Sequence, residues 1–179
     1  ASEAHLRALG VEVQPTDRGG DITYHGPGQL VAYPIIDLNR VGLRLHDYMR
    51  LLEQAVIDTC DRLGVRTARD DTATGVWVPG DERHPGGAKI CAIGVRVRRW
   101  VTMHGLALNV ATNLEHFKLI VPCGLAGRPV TSIAEQLARG NGHDRHEPIS
   151  LDRVKPVLAA ALAERLSEAA SESSRRRAN

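Results

Sequence analysis

Residues Gly87 to Val110 read GAKICAIGVRVRRWVTMHGLALNV, and this stretch decides the fold class. Two runs rich in β-formers, Lys89–Val97 and Val101–Val110, are joined by Arg98–Trp100. In the first run Ile90, Ala92 and Gly94 alternate against Cys91, Ile93, Val95 and Val97. Both faces of that strand are therefore largely apolar until Arg96 and Arg98, which predicts a sheet with cover on each side.

Working outward from the pair, Gly75–Val78 reads as a further strand and Pro79–Ala88 as a polar turn region. Leu30–Leu38 (LVAYPIIDL) is a continuous apolar run, predicted as a buried strand. Pro34 sits awkwardly in it, because proline cannot donate to a ladder and prefers an edge or bulge. His46–Leu63 is the clearest helix: Met49, Leu52, Val56, Cys60 and Leu63 recur at helical spacing, and Gly64 follows as a stop. Ala1–Gly10 reads as a short helix or turn, Val11–Val13 as a brief strand, and Asp17–Gly28 as a glycine-rich loop. Downstream, Leu119–Val121 is short and apolar. Ser132 to Glu135 has the spacing of a capping box, opening a helix that Gly140 closes. The final helix starts at Leu151 or Lys155 and runs to Ala170, with Pro156 tolerated near its start. With no repeat and no linker, residues 1–170 form one domain of α/β composition and α+β type, and 171–179 a disordered, solvated tail.

Of the 179 residues, 42% are hydrophobic and 25% charged, ordinary for a globular chain long enough to bury a core. The net charge of +2 is carried by the tail. Without Arg175, Arg176 and Arg177, 20 basic residues face 21 acidic ones. Six scattered aromatics and a near-neutral body offer no nucleic-acid-binding stripe. Nothing resembles a signal peptide or a membrane span. Three cysteines without a CxxC pair argue against a disulfide scaffold and against structural zinc. The expectation is a reduced, cytoplasmic protein with no metal. Lysine is scarce, at three residues (Lys89, Lys118, Lys155) against 20 arginines. Unlike arginine it can lose its proton in a protein, so each lysine is a candidate for chemistry.

Three features could carry that chemistry. The loop RGGDITYHGPGQ (Arg18–Gln29) brings backbone close to a ligand, and Arg18 and His25 could orient a polar group. It lacks both the GxGxxG and GxxxxGK[ST] patterns, and by itself it reads more often as a turn. Cys123 lies between Pro122 and Gly124 at a strand-to-loop transition. A nucleophilic thiolate there would need a nearby cation and backbone N–H groups to hold an oxyanion; the plain alternative is an inert buried thiol. Lys89 opens an apolar strand, where its head either meets a thiol and shuttles its proton or snorkels to water. His104, inside the second strand, is read as a satisfied core histidine rather than a base. His84, His143 and His146 look solvated, and Cys60 looks like core.

Taken together, RGGDITYHGPGQLVAYPI (Arg18–Ile35), GAKICAIGVRVRRWVTMHGLALNV (Gly87–Val110) and IVPCGLAG (Ile120–Gly127) resemble the lipoyl(octanoyl) transferases. The resemblance implies the mixed sheet flanked by helices of biotin and lipoate protein ligases. It implies that Cys123 carries the acyl thioester and that Lys89 tunes it. It places substrate contacts on Arg18, Gly19, Gly20, Asp21, Ile22, Thr23, Tyr24 and His25, on Ala92, Ile93 and Gly94, and on Gly105, Leu106 and Ala107. The donor it implies is octanoyl-acyl carrier protein, the acyl group riding on phosphopantetheine with no further cofactor. The acceptors are lipoyl domains of 2-oxoacid dehydrogenase subunits and the glycine-cleavage H protein. The family usually carries a longer N-terminal portion before the RGG loop, which these residues do not include. Two rivals are an ATP-dependent lipoate–protein ligase, which needs no PCG cysteine, and a non-catalytic module that binds acyl carrier protein. Arg96, Arg98 and Arg99 form a candidate patch for an acidic partner.

Overall fold

A computed structural model describes residues 3–20, 22–82, 85–120, 128–140 and 148–178. Asp21, Cys123, His84, His143 and His146 lie outside the described residues.

The two central runs form the long hairpin that the sequence predicts, β4 (Ala88–Arg98) against β5 (Val101–Asn109). Their register runs from Cys91 opposite Leu108 to Arg98 opposite Val101. Arg99 and Trp100 make the two-residue turn, with φ of 50° and 67°. That left-handed pair matches the twist of the flanking strands, and the Trp100 carbonyl fastens the turn by accepting from the Leu38 amide at 2.9 Å.

Around the hairpin stand β1 (Gln29–Ala32), β2 (Ala68–Arg69) and β3 (Val76–Val78), giving the strand order β1-β5-β4-β3-β2. Every pairing of these strands is antiparallel. The expected mixed sheet is thus an antiparallel one, to which a single parallel bridge is added between Lys89 and Val130.

The helices are α1 (Glu3–Ala8), α2 (Leu38–Val41), α3 (Leu45–Arg62), α4 (Ile133–Gly140) and α5 (Leu151–Ala178), with a 3₁₀ turn at Leu114–Leu119. α3 buries Leu52, Val56 and Cys60 as predicted, with Tyr48 taking the place of Met49, which like Leu63 is half-buried, and Gly64 (φ +77°) stops it. In α5, Val154, Leu158 and Ala161 are buried with the same periodicity and join the core that α3 forms with the sheet. Ser132 caps α4 through its hydroxyl, 3.2 Å from the Glu135 amide. No helix among the described residues is long and apolar enough to cross a membrane.

Three expectations are corrected. Val11–Val13 forms no strand. The Leu30–Leu38 run pairs regularly only as far as Ala32, and on an edge, with Val31, Tyr33 and Ile35 exposed. Pro34 cannot donate, and opposite this stretch β5 is kinked at His104 (φ +60°). Contact resumes at Thr102, whose hydroxyl accepts from the Ile36 amide at 2.7 Å and donates to the Pro34 carbonyl at 2.8 Å. The last helix does not end at Ala170. Its polar continuation stays helical to Ala178, and Ser173 packs on Gly42 where that glycine leaves room.

Candidate active site

A cavity of about 310 Å³ opens on the side of the hairpin turned away from α3, a volume at the small end of the range for small-molecule sites. Its depth comes from missing side chains. Ala92 faces Ala107 across the strands and Gly94 faces Gly105, so one face of β4–β5 carries nothing larger than a methyl group over two pairs. The other face at the same level carries Cys91, Ile93, Leu106 and Leu108, which belong to the core. Gly94 and Gly105 could not be otherwise. A Cβ on Gly94 would stand 2.6 Å from the Gly19 carbonyl, and one on Gly105 would overlap the Ala32 carbonyl.

The glycine-rich loop closes one wall. Beyond Cys91 the edge of β4 is no longer paired with β3, and the Gly19 amide takes that edge, donating to the Val95 carbonyl at 3.1 Å. Arg18, Gly20, Ile22, Thr23 and His25 line the cavity. Tyr24 stands behind them, edge-on to Phe117 at 5.4 Å and hydrogen-bonded to His116 at 2.8 Å. A buried polar chain ties this wall to the floor. His25 Nδ1 lies 2.7 Å from Gln29 Oε1, Gln29 Nε2 donates to Asn109 Oδ1 at 2.9 Å, and Asn109 Nδ2 donates to the Thr131 carbonyl at 3.0 Å.

Lys89 reaches the cavity because the ladder slips. Val76 faces Cys91 but Trp77 faces Lys89, leaving Ile90 as an extra residue. Strict alternation would put Lys89 on the same side as Cys91; the bulge turns it onto the cavity side instead, a common use of bulges beside functional sites. The Lys89 amide donates to the Pro129 carbonyl and its own carbonyl accepts from Thr131, both at 2.9 Å. Its ammonium hangs 4.8 Å from the centre of the Trp77 ring, beside Gly75. Burial, aided by the nearby Arg128 cation, holds the Lys89 ammonium below its ordinary pKa.

The opposite wall, Thr72–Thr74, is held from two sides. Glu53, buried, accepts from the Gly75 amide at 3.1 Å while pairing with Arg50 and Arg69. Asp70 accepts from the Thr72 amide and hydroxyl and binds Arg128 at 2.6 Å. Cys60 and Cys91 belong to the core and not to the site. Burial pushes the Cys60 thiol up to about 12 and Cys91 higher still, so neither is a thiolate at neutral pH.

Residues 2–163 match the family described as the lipoyl protein ligase A/B catalytic domain. The chain belongs to that family. Curated relatives include octanoyltransferases. That of Bacteroides fragilis is 49% identical over 160 residues, covering 89% of this chain and 70% of its own length. That of Christiangramia forsetii is 50% identical over 157 residues, covering 88% and 63%. By its likeness to these relatives the chain is an acyltransferase domain of the octanoyltransferase type. It is similar in fold to the bipartite lipoate protein ligase of Thermoplasma acidophilum, with a TM-score of 0.66 at 17% identity over 96% of this chain and 69% of that one. It is also similar to the biotin protein ligase of Aquifex aeolicus, with a TM-score of 0.55 at 13% identity over 80% and 55%.

Of the residues singled out from the octanoyltransferase resemblance, the structure gathers Arg18, Gly20, Ile22, Thr23, His25, Lys89, Ala92, Ile93, Gly94, Gly105, Leu106 and Ala107 around one cavity. Gly19 and Tyr24 support its wall without lining it. Asp21 and Cys123 lie outside the described residues. His104 is corrected: it is not core but lines the cavity, with Nε2 3.0 Å from Asp17 and its ring edge-on to Tyr33 at 5.6 Å. Its φ of +60° swings the backbone there, a conformation usually left to glycine. Sequence reading missed Gln29 and Asn109, although Gln29 stands at the end of the quoted HGPGQ. It also missed Trp77, Asp70 and Arg128, which no motif connects. Among the described residues no group of three His, Cys, Asp or Glu side chains could hold a metal.

Proposed function

We propose that this domain transfers an octanoyl group from the phosphopantetheine thioester of acyl carrier protein to a lysine of a lipoyl domain, through a thioester on Cys123. The observation that carries the reading is the place of Lys89. It sits at one end of a small, apolar trough, half desolvated, with its backbone joined to residues 129–131, a short way along the chain from Cys123. In the first step Cys123 gives its proton to neutral Lys89. The sulfur then attacks the acyl carbon, and the carrier thiol leaves, taking a proton from Lys89. In the second step the acceptor amine attacks the enzyme thioester, loses a proton to Lys89, and expels the Cys123 sulfur to leave an amide. Thioester exchange is nearly isoenergetic and amide formation runs downhill, so the reaction draws on no ATP or added cofactor. Burial of the acyl chain along the face of Ala92, Gly94, Gly105 and Ala107 contributes about 0.8 kcal/mol per CH₂. Small-molecule thioesters lacking the chain would lose that term.

The lipoyl-domain acceptor is supported by the company the fold keeps: the Thermoplasma ligase similar to this chain was studied with its E2 lipoyl domain. The experiment is intact mass after mixing the protein with octanoyl-acyl carrier protein without ATP. One octanoyl increment is expected, absent in Cys123→Ser. An increment that requires ATP and free octanoate instead would make the domain a ligase.

A further inference from the structure

Behind Lys89 lies an assembly that the transfer reaction does not directly use. The guanidinium carbon of Arg128 sits 3.5 Å from the centre of the Trp77 ring, and the Lys89 ammonium 4.8 Å from the same centre. One aromatic ring thus serves two cations, and attraction to the ring offsets part of their mutual repulsion. Arg128 is also clamped by Asp70 at 2.6 Å and by the Gly86 carbonyl, with both side chains of the ion pair mostly buried at 21% exposure. Trp77 itself is buried and locked, its indole N–H donating to the Ala73 carbonyl at 3.2 Å. Such closure is more than a surface ion pair needs, and it fixes a positive and a negative charge at set places beside one lysine.

We propose that Asp70 and Arg128 are positioning residues for Lys89: one locked ion pair, held against Trp77, whose two opposite charges decide how readily Lys89 releases and recovers a proton. This deepens, and rests on, the reading of Lys89 as the proton carrier of acyl transfer. Arg128 favours the neutral amine and Asp70 favours the ammonium, so the two partners act on Lys89 in opposite senses although they form a single contact. Among the described residues, the other ionisable groups near Lys89 are Cys91 on its own strand and, around the same cavity, Arg18, His25 and His104. None of these is tied to the Trp77 ring. Arg128 immediately precedes Pro129, whose carbonyl accepts from the Lys89 amide, so the ion pair and this backbone contact are adjacent along the chain.

The test exploits the three lysines. With lysine labelled at ¹³Cε, the intact protein gives three side-chain signals to titrate, and Lys118 and Lys155, both exposed, serve as internal references. In the parent, Lys89 is expected to titrate below both. Arg128→Met should raise its midpoint and Asp70→Asn should lower it, while Arg128→Lys, which adds a fourth lysine signal, should keep the Lys89 midpoint below that of Arg128→Met. In the same samples, the acid limb of octanoyl-enzyme formation should move in the same direction as the midpoint. A merely structural ion pair would make both variants less stable but would move Lys89 in one common direction, or not at all; either result overturns the proposal. The titration needs no turnover. If no octanoyl-enzyme formed while the midpoints moved apart, the transfer reading would fall and the control of Lys89 would stand.

Discussion

The two ends of the cavity are built on opposite principles. Toward the hairpin turn, the site is made of what is absent: Ala92, Ala107, Gly94 and Gly105 withdraw side chains from one face of the sheet. Toward the other end it is made of what is present, Lys89 and Arg128 against the Trp77 ring and Asp70 on Arg128, with the strand bulged at Ile90 to bring Lys89 there. The contrast matches the two tasks of the proposed acyl transfer: on that reading the empty end takes the chain and the charged end moves the proton. Substitutions at one should therefore leave the work of the other intact.

The largest effect is expected at the charged end. Lys89→Met keeps the length and the apolar stem but removes the proton acceptor, and loss of a positioned general base costs about 10²–10⁴ in rate. Single-turnover formation of the octanoyl-enzyme should fall within that range, while the preference for acyl length stays as in the parent. A variant as fast as the parent would show that the charged end does not move the proton.

A smaller and different effect is expected at the empty end. Ala107→Leu fills the trough opposite Ala92, displacing the room of about two methylenes, or about 1.6 kcal/mol of chain burial. Octanoyl transfer should drop on the order of tenfold while transfer of a shorter acyl group such as butanoyl holds. Competition between the two thioesters reads this directly. An equal loss for both chains would mean that the substitution distorted the sheet rather than shortened the trough, since overpacking alone costs about 1–3 kcal/mol.

The same contrast explains what could be read from the chain. The empty end was legible only through the family resemblance, because Gly94 and Gly105 fall inside contiguous motifs; the strand by itself reads as apolar on both faces. The hairpin, α3 and the cap of α4 were legible directly: each is written in residues within one or two turns of one another. At the charged end only Lys89 was legible. Asp70, Trp77, Lys89 and Arg128 come from four separate segments, and the bulge that aims Lys89 arises from a register set between strands. Likewise the kink at His104 pairs with Pro34 across 70 residues of chain, so Pro34 hinted at trouble without locating its partner. The helical continuation of α5 past Ala170 failed to show because it has no apolar stripe.

A last consequence concerns stability, and it belongs to the charged end alone. Arg128 and the Thr72 amide and hydroxyl hold the Asp70 carboxyl well below its ordinary value of 3.8. A carboxylate whose pKa is depressed by folding adds stability that is fully present above the unfolded-state pKa, and that is lost as pH falls toward the folded one. The contribution should therefore be constant near neutrality and decline once the pH drops below about 4. It is modest, about 1 kcal/mol, as expected for a pair that keeps some contact with water. Urea midpoints measured at pH 7 and at pH 3 should show a larger acid loss in the parent than in Asp70→Asn, which has no proton to take up there. Ala107→Leu changes no charge, so its acid loss should match the parent's even though its midpoint at neutrality is lower. Should Asp70→Asn lose as much on acidification as the parent, the Asp70–Arg128 pair would not be the acid-sensitive tie that holds the charged end together.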